Sequence, residues 1–215
     1  VAEELTPEPP SDCRICERLV EYRSDNRAAH PAWFNAPVPS FGVESARLLI
    51  VGLAPGLQGA NRTGRPFTGD YAGELLYQTL LRTGFAEGEY RAEPGDSLRL
   101  KSCMITNAVR CVPPENKPTA AEIKACRQFL RGRIACLPEL RAVLALGRIA
   151  HDSVIAARDQ KQAAFPFSHG ARHEMPGGLA VYDSYHCSRY NTNTGRLTEK
   201  MFRDVLERIR DDLGE

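Results

Sequence analysis

Four short apolar runs, separated by stretches with helical spacing, constrain this chain more than any other feature. They are Leu48-Leu49-Ile50-Val51, Met104-Ile105 within residues 103–109, Val143-Leu144-Ala145-Leu146 and Leu179-Ala180-Val181-Tyr182. Three of them lack the alternation of a half-solvated strand, and strands apolar on both faces belong in a parallel sheet covered by helices. Helical patterns fall at 71–83, with Leu75, Leu76, Leu80 and Leu81, and at 119–135. The second opens with Thr119-x-x-Glu122, a capping box, and places Ile123, Cys126 and Leu130 along one stripe. Two more fall at 148–157 and 198–210, the last with Met201, Phe202, Val205, Leu206 and Ile209 on its apolar face. The alternation predicts an α/β fold: a three-layer α/β/α sandwich around a central, mostly parallel four-stranded sheet. A short helix is expected over 13–24 and an irregular packed loop from His30 to Gly42. Residues 1–12 carry Glu3, Glu4, Glu8 and Asp12 and no base, and read as a flexible acidic leader to one domain spanning 13–215.

Composition narrows the function classes. At 42% apolar and 26% charged residues, the 215-residue chain is ordinary for a soluble domain. It holds no run near the ~18 apolar residues of a membrane span and no secretory apolar region, so a cytoplasmic protein without a membrane partner is expected. Formal net charge is +1, from 28 basic and 27 acidic residues. Setting aside the four leader acids leaves 28 against 23, a mildly basic body that permits a polyanionic partner. Seven cysteines is an odd number, which argues against a disulfide framework and for metal-ligating or buried thiols in a reducing compartment.

Ligands of open α/β sheets bind beyond the carboxyl ends of the strands. After the first run come Gly52-Leu53-Ala54-Pro55-Gly56 and Asn61-Arg62-Thr63-Gly64-Arg65-Pro66-Phe67-Thr68-Gly69-Asp70. After the second come Asn107-Ala108-Val109-Arg110-Cys111 and Asn116-Lys117-Pro118-Thr119; after the third, Gly147-Arg148. After the fourth come His186-Cys187-Ser188-Arg189, Asn191 and Gly195. These loops make one composite site. The glycine-rich stretch is neither a Walker P-loop nor a dinucleotide fingerprint, though it can bring backbone N–H groups close to a phosphate or a base. Asp70 stands where a helix N-cap is expected, and a cap and a functional carboxylate are compatible.

Cys13-x-x-Cys16 lies far from Cys111 and Cys126, yet four thiols from two segments can gather at one centre. Zinc ribbons repeat the short C-x-x-C spacing, whereas iron–sulfur clusters tolerate irregular ones, and zinc stays as the rival. Cys103, Cys136 and Cys187 read as small buried apolar residues.

Together these pieces resemble the type-b (family 5) uracil-DNA glycosylases. The likeness rests on Gly52-Leu-Ala-Pro-Gly56, Gly64-Arg-Pro-Phe-Thr-Gly-Asp70, Val109-Arg-Cys111 with Asn116-Lys-Pro-Thr119, and His186-Cys-Ser-Arg-x-Asn191-Thr, and runs from Cys13 to about Phe202. It implies a single domain, expected to be a monomer, that flips a deaminated base out of DNA and hydrolyses its N-glycosidic bond. Uracil is the implied base, with others such as hypoxanthine beside it. The resemblance also implies a [4Fe–4S] cluster on Cys13, Cys16, Cys111 and Cys126, and a bacterial or archaeal source. Two positions depart from the pattern: the His-Pro-Ser of related enzymes reads His186-Cys187-Ser188, and Asn107 stands where some type-b members have alanine.

Such a site would use Asp70, His186 and Asn116 in catalysis, and Phe67, Asn107, Gly52 and Ala54 around the base. A carboxylate can stabilise an oxocarbenium-like sugar, a histidine the charge on the leaving base, and an aromatic ring the flipped base. Arg62, Arg65, Ser188, Arg189, Asn191 and Arg196 are the expected DNA contacts, with Lys200 and Arg203 extending the basic stretch. Two rivals remain open: a non-catalytic, cluster-bearing nucleic-acid-binding module, and a zinc-stabilised nucleotide hydrolase.

Overall fold

The computed structural model describes residues 6–215. Four five-residue strands, β2 (Leu48–Gly52), β5 (Cys103–Asn107), β6 (Ala142–Leu146) and β8 (Ala180–Ser184), are buried at every position and run parallel in the order β5-β2-β6-β8. They coincide with the four apolar runs. The sheet has six strands rather than the expected four, because short antiparallel strands close both edges. β1 (Phe41–Gly42) pairs with β5, and β7 (Arg172–Glu174) pairs with β8. Neither carries an apolar run, so nothing in hydrophobic patterning announces them. A separate hairpin, β3 (Ala86–Glu87) with β4 (Arg99–Leu100), precedes β5.

Side-chain alternation divides the sheet between two cores. Leu48, Ile50, Ile105, Leu144 and Tyr182 pack on α3 (Tyr71–Arg82) and α7 (Glu199–Leu213) through Leu76, Leu80, Phe202 and Leu206. Leu49, Val51, Met104, Val143 and Val181 pack on α4 (Ala120–Ala135) and α5 (Arg148–Ala157) through Leu130, Ile134, Val154 and Ile155. The capping box forms as expected: Thr119 Oγ1 accepts from the Glu122 N–H, and the Glu122 carboxylate accepts from the Thr119 N–H. Among the described residues, no helix is long and apolar enough to cross a membrane.

The amino-terminal region departs from expectation. α1 (Glu17–Ala29) starts four residues later than the pattern suggested, with Cys16 at its N-cap, and runs five residues further. The acidic leader is anchored where it is described: Glu8 accepts from Arg110 at 2.7 Å, from Arg133 at 2.6 Å and from the Ser40 N–H at 3.2 Å. A carboxylate opposite two buried guanidinium groups does not swing free. Residues 1–5 lie outside the described residues.

Candidate active site

A pocket of about 480 Å³ opens beyond the carboxyl ends of β2, β5 and β8, and Asp70, Phe67, Asn107, Asn116 and His186 all line it. Its floor depends on a missing side chain. A Cβ on Gly52 would stand 2.4 Å from Asn107 Oδ1 and 2.6 Å from the Phe67 ring, so only glycine lets the two converge there. Asn107, paired with Gly52 across the strands, is 3% exposed, and its Oδ1 has no hydrogen-bond partner. An orphaned buried acceptor facing a pocket is a place for a ligand's donor.

Phe67 is held at φ +53°, a conformation a bulky residue adopts only under constraint. The constraint is visible. Tyr77 donates to the Pro66 carbonyl at 2.6 Å and Tyr90 to the Phe67 carbonyl at 3.3 Å. Arg65 donates to Thr68 Oγ1 at 2.7 Å and grips both Asp96 oxygens at 2.7 and 2.8 Å. The Phe67 ring thereby stands 5.9 Å from the His186 ring, tilted by 30°.

Asp70 caps α3, its Oδ1 accepting from the Gly73 N–H at 3.2 Å. Its Oδ2 points at the Gly56–Gly59 turn, where a Cβ on Gly59 would stand 2.4 Å away and one on Gly56 3.1 Å away. Burial raises the carboxyl above its ordinary range, against the opposing pull of the Gly73 and Ala72 N–H groups. Desolvation thus outweighs the helix N-terminus. No cation pairs with Asp70 among the described residues. Burial acts on His186 in the same sense, disfavouring charge, and lowers it to about 4, so the ring is neutral at physiological pH.

On the outer side of α4, Cys13, Cys16, Cys111 and Cys126 line a small hollow with Leu19, Arg23, Val109 and Phe129. Cys16 and Cys13 precede α1, Cys111 follows the turn after β5, and Cys126 projects from α4. Without a metal, burial pushes Cys111 up to about 11 and Cys126 up to about 12. Buried polar groups reach this hollow: the Arg110 N–H donates to Cys126 Sγ at 3.4 Å, and Arg23 to Cys111 Sγ at 3.5 Å. All-thiol donors with N–H groups directed at the sulfurs fit a metal–thiolate centre.

The family model described as the uracil DNA glycosylase superfamily matches residues 39–210. A type-5 uracil-DNA glycosylase of Thermus thermophilus is 48% identical over 200 residues, covering 90% of each chain. One of the same name from Pyrobaculum aerophilum is 40% identical over 207 residues, covering 94% of this chain and 90% of its own. A type-4 uracil-DNA glycosylase of that organism is 37% identical over 114 residues, about half of each chain. The chain belongs to the uracil DNA glycosylase superfamily.

For a member of that superfamily, the expected pocket residues converge and the expected DNA contacts divide. Gly52 lies behind Asn107 and Phe67 and leaves them room, and Ala54 lines the pocket. Asn116 sits at the mouth, where it and Glu115 occupy successive left-handed conformations, at φ +58° and +55°. Arg189 is exposed on the rim, over the Tyr71 ring at 5.1 Å, whereas Arg62, also exposed, donates to the Gln58 carbonyl at 2.8 Å and lines a separate cleft beside Trp33 and Phe34. Arg196 lies 4.5 Å over Tyr185 and lines an adjoining cleft that shares His186.

Arg65 is a correction. It is 5% exposed, encircled by Phe41, Tyr77 and Tyr90 at 5.2–5.7 Å, and neutralised by Asp96, so it buttresses Phe67 and cannot reach DNA. Ser188 lines the pocket and caps α6 (Arg189–Asn193), and Asn191 lines the adjoining cleft while its Nδ2 donates to the His186 carbonyl at 2.8 Å. Lys200 and Arg203 pair with Asp204 and Glu207 one turn on, so they serve α7. Cys103 and Cys187 are buried as expected, whereas Cys136 is exposed.

Sequence reasoning passed over Tyr71, Gln58 and Leu57, which also line the pocket, and Tyr190, 72% exposed beside it. An aromatic directly after the Asp70 cap, and another inside the His186–Asn191 loop, were the available signals.

Proposed function

We propose that this enzyme excises uracil from DNA, with activity extending to hypoxanthine, and that Asp70, His186, Phe67 and Asn107 divide the work. The observation that carries the proposal is a half-buried carboxylate without a counter-charge among the described residues, lining the same pocket as a neutral histidine, in a space roomy enough for a flipped nucleotide. Breaking the C1′–N bond sends its electron pair to the base, leaving an anion there and an oxocarbenium-like sugar. Asp70 stabilises that cation, and its raised pKa suits it to accept a proton from the water that adds to C1′. His186 stays neutral, so it donates an N–H to the departing base without first being protonated. Phe67, fixed by Arg65 and Tyr90, stacks on the flipped base. Arg189 on the rim and Arg196 in the adjoining cleft suit phosphate contacts.

The chemistry of Asn107 supports deaminated bases as a class. Uracil and hypoxanthine present a ring N–H where cytosine and adenine present an acceptor lone pair, and the orphaned Oδ1 is an acceptor. Single-turnover assays on duplexes carrying uracil, hypoxanthine, cytosine or adenine test this. Cleavage of the first two alone is expected. Tight binding without cleavage of any would favour the non-catalytic binding module.

The cysteine hollow supports a [4Fe–4S] cluster held by Cys13, Cys16, Cys111 and Cys126, supplying a rigid covalent tie. Those ligands would link the segment before α1, the turn after β5 and α4. A zinc tetrathiolate holds its sulfurs about 3.8 Å apart, from the ~2.3 Å Zn–S bond and tetrahedral angles. A [4Fe–4S] cluster sets its cysteine sulfurs farther apart, and the irregular spacing of Cys13, Cys16, Cys111 and Cys126 along the chain favours it. Purified protein should carry about four iron and four sulfide per chain. Stoichiometric zinc without iron would refute the cluster.

A further inference from the structure

Among the described residues four arginines are buried: Arg23, Arg65, Arg110 and Arg133, each at most 5% exposed. Three of them face carboxylates. Arg65 holds Asp96 at 2.7 Å, Arg110 holds Glu8 at 2.7 Å, and Arg133 holds Glu8 at 2.6 Å and Glu44 at 2.9 Å. Arg23 has no carboxylate partner among the described residues. Its Nη2 donates to the Cys13 carbonyl at 2.8 Å and its Nη1 to Cys111 Sγ at 3.5 Å, while its Nε is buried without an acceptor. A guanidinium removed from water without a counter-charge is strongly disfavoured, and a neutral thiol is a poor acceptor.

We infer that Arg23 is the counter-charge of the four-cysteine centre. The inference rests on the metal–thiolate reading above. Four thiolates around an oxidised [4Fe–4S] core, or around one zinc ion, leave a net charge of minus two, which is the anion this guanidinium lacks. Arg23 stands two turns beyond Cys16 on α1, so one residue spans the ligand segment before α1 and the ligand after β5. It therefore both holds the geometry and offsets the charge. One-electron reduction of a cluster makes the site more negative still, and a fixed neighbouring cation favours that state.

The test compares wild type, Arg23→Met and Arg23→Lys, purified anaerobically. Iron and sulfide are counted, the cluster absorbance is followed under an iron chelator, and the midpoint potential is measured by titration with dithionite. Arg23→Met fills the same space without charge. It should lose iron about tenfold faster or more, the usual scale for removing a partner of a metal ligand, and its potential should move negative. Arg23→Lys keeps the charge and should fall between. If Arg23→Met does not accumulate, Arg23→Gln replaces it under the same criteria.

Unchanged iron loss and potential in the neutral variant would overturn the role of Arg23 while leaving the cluster standing. Wild type containing zinc and no iron would overturn the cluster alone, and zinc release then reads the role of Arg23. Wild type containing neither metal would overturn both.

Discussion

The base pocket and the cysteine hollow are mirror images in charge. Among the described residues, one holds a half-buried carboxylate, Asp70, with no cation; the other buries a guanidinium, Arg23, with no carboxylate. Between them in kind stands Arg65–Asp96, where the same fold buries both signs together and satisfies each with further hydrogen bonds. The contrast separates scaffold from site. A paired buried charge holds a loop in place, as Arg65 holds Phe67. In the function proposed above, an unpaired one awaits something that arrives: a sugar acquiring positive charge in one case, an anionic metal–thiolate centre in the other.

The largest expected effect comes from breaking the paired case. Arg65→Met leaves Asp96 buried alone and removes the clamp on Thr68, and should cost about 3 kcal/mol of stability, the scale for breaking a buried ion pair. Chemical denaturation reads this. The Arg65 guanidinium also holds Asp96 down at about 2. The carboxyl is depressed in the folded state, so this stabilisation is complete above the ordinary carboxylate range and is lost as pH falls toward 2. An Arg65→Met protein with unchanged stability would erase the distinction between paired and unpaired charges.

His186→Ala comes next and acts on rate rather than stability. Losing one donor to the leaving base should slow single-turnover cleavage by roughly 10²-fold. With its pKa near 4, the ring does not titrate between pH 6 and 9, so no step in the wild-type rate over that range should disappear in the variant. A rate limb near pH 6.5 that His186→Ala abolishes would mean that the ring works as a cation.

Much of this was legible in the sequence, for physical reasons. The four central strands are buried on both faces, so they read as unbroken apolar runs, and the loops after them converge because parallel strands end at one edge. Burial and partners were not legible. Arg65 sits inside the matched motif, yet its direction depends on Asp96, thirty-one residues away in a loop without pattern. Arg23 looks like any solvent-facing arginine of a short helix until the turn after β5 folds against it. β7, read as Arg-His-Glu, exists because its backbone completes the sheet edge, which side-chain chemistry does not reveal.

Smaller effects sharpen the outer boundary of the site. Arg196→Ala should reduce the slope of log affinity against log salt by about one unit, the signature of one phosphate contact. An unaltered slope would confine Arg196 to stacking on Tyr185.

The smallest expected effect lies behind the pocket. His151 meets Asp183 through Nδ1 at 2.6 Å and donates through Nε2 to the Phe165 carbonyl at 2.8 Å, and His173 meets the second Asp183 oxygen at 3.0 Å. Burial opposes the charged ring, but Asp183 and the Phe165 carbonyl outweigh it and raise His151. A pKa raised by folding stabilises fully below the unfolded value of about 6.5 and loses that contribution as pH rises through the folded value. Melting curves should show a modest decline on the alkaline side that His151→Gln flattens. A parallel decline in the variant would assign it to other groups.

The charge on Asp70 decides the account. Asp70→Asn keeps size and capping ability, since asparagine caps a helix about as well as aspartate, and removes the negative charge alone. Single-turnover cleavage of uracil- and hypoxanthine-containing duplexes, measured beside a melting curve, reads the outcome. The account predicts a melting temperature at least as high as wild type, since folding disfavours the Asp70 charge, with a loss of roughly 10²-fold or more on both bases, because the sugar cation is common to them. Near-normal rates on both would reduce Asp70 to a helix cap, and a loss on one base alone would place it on the base rather than the sugar; either result contradicts the account.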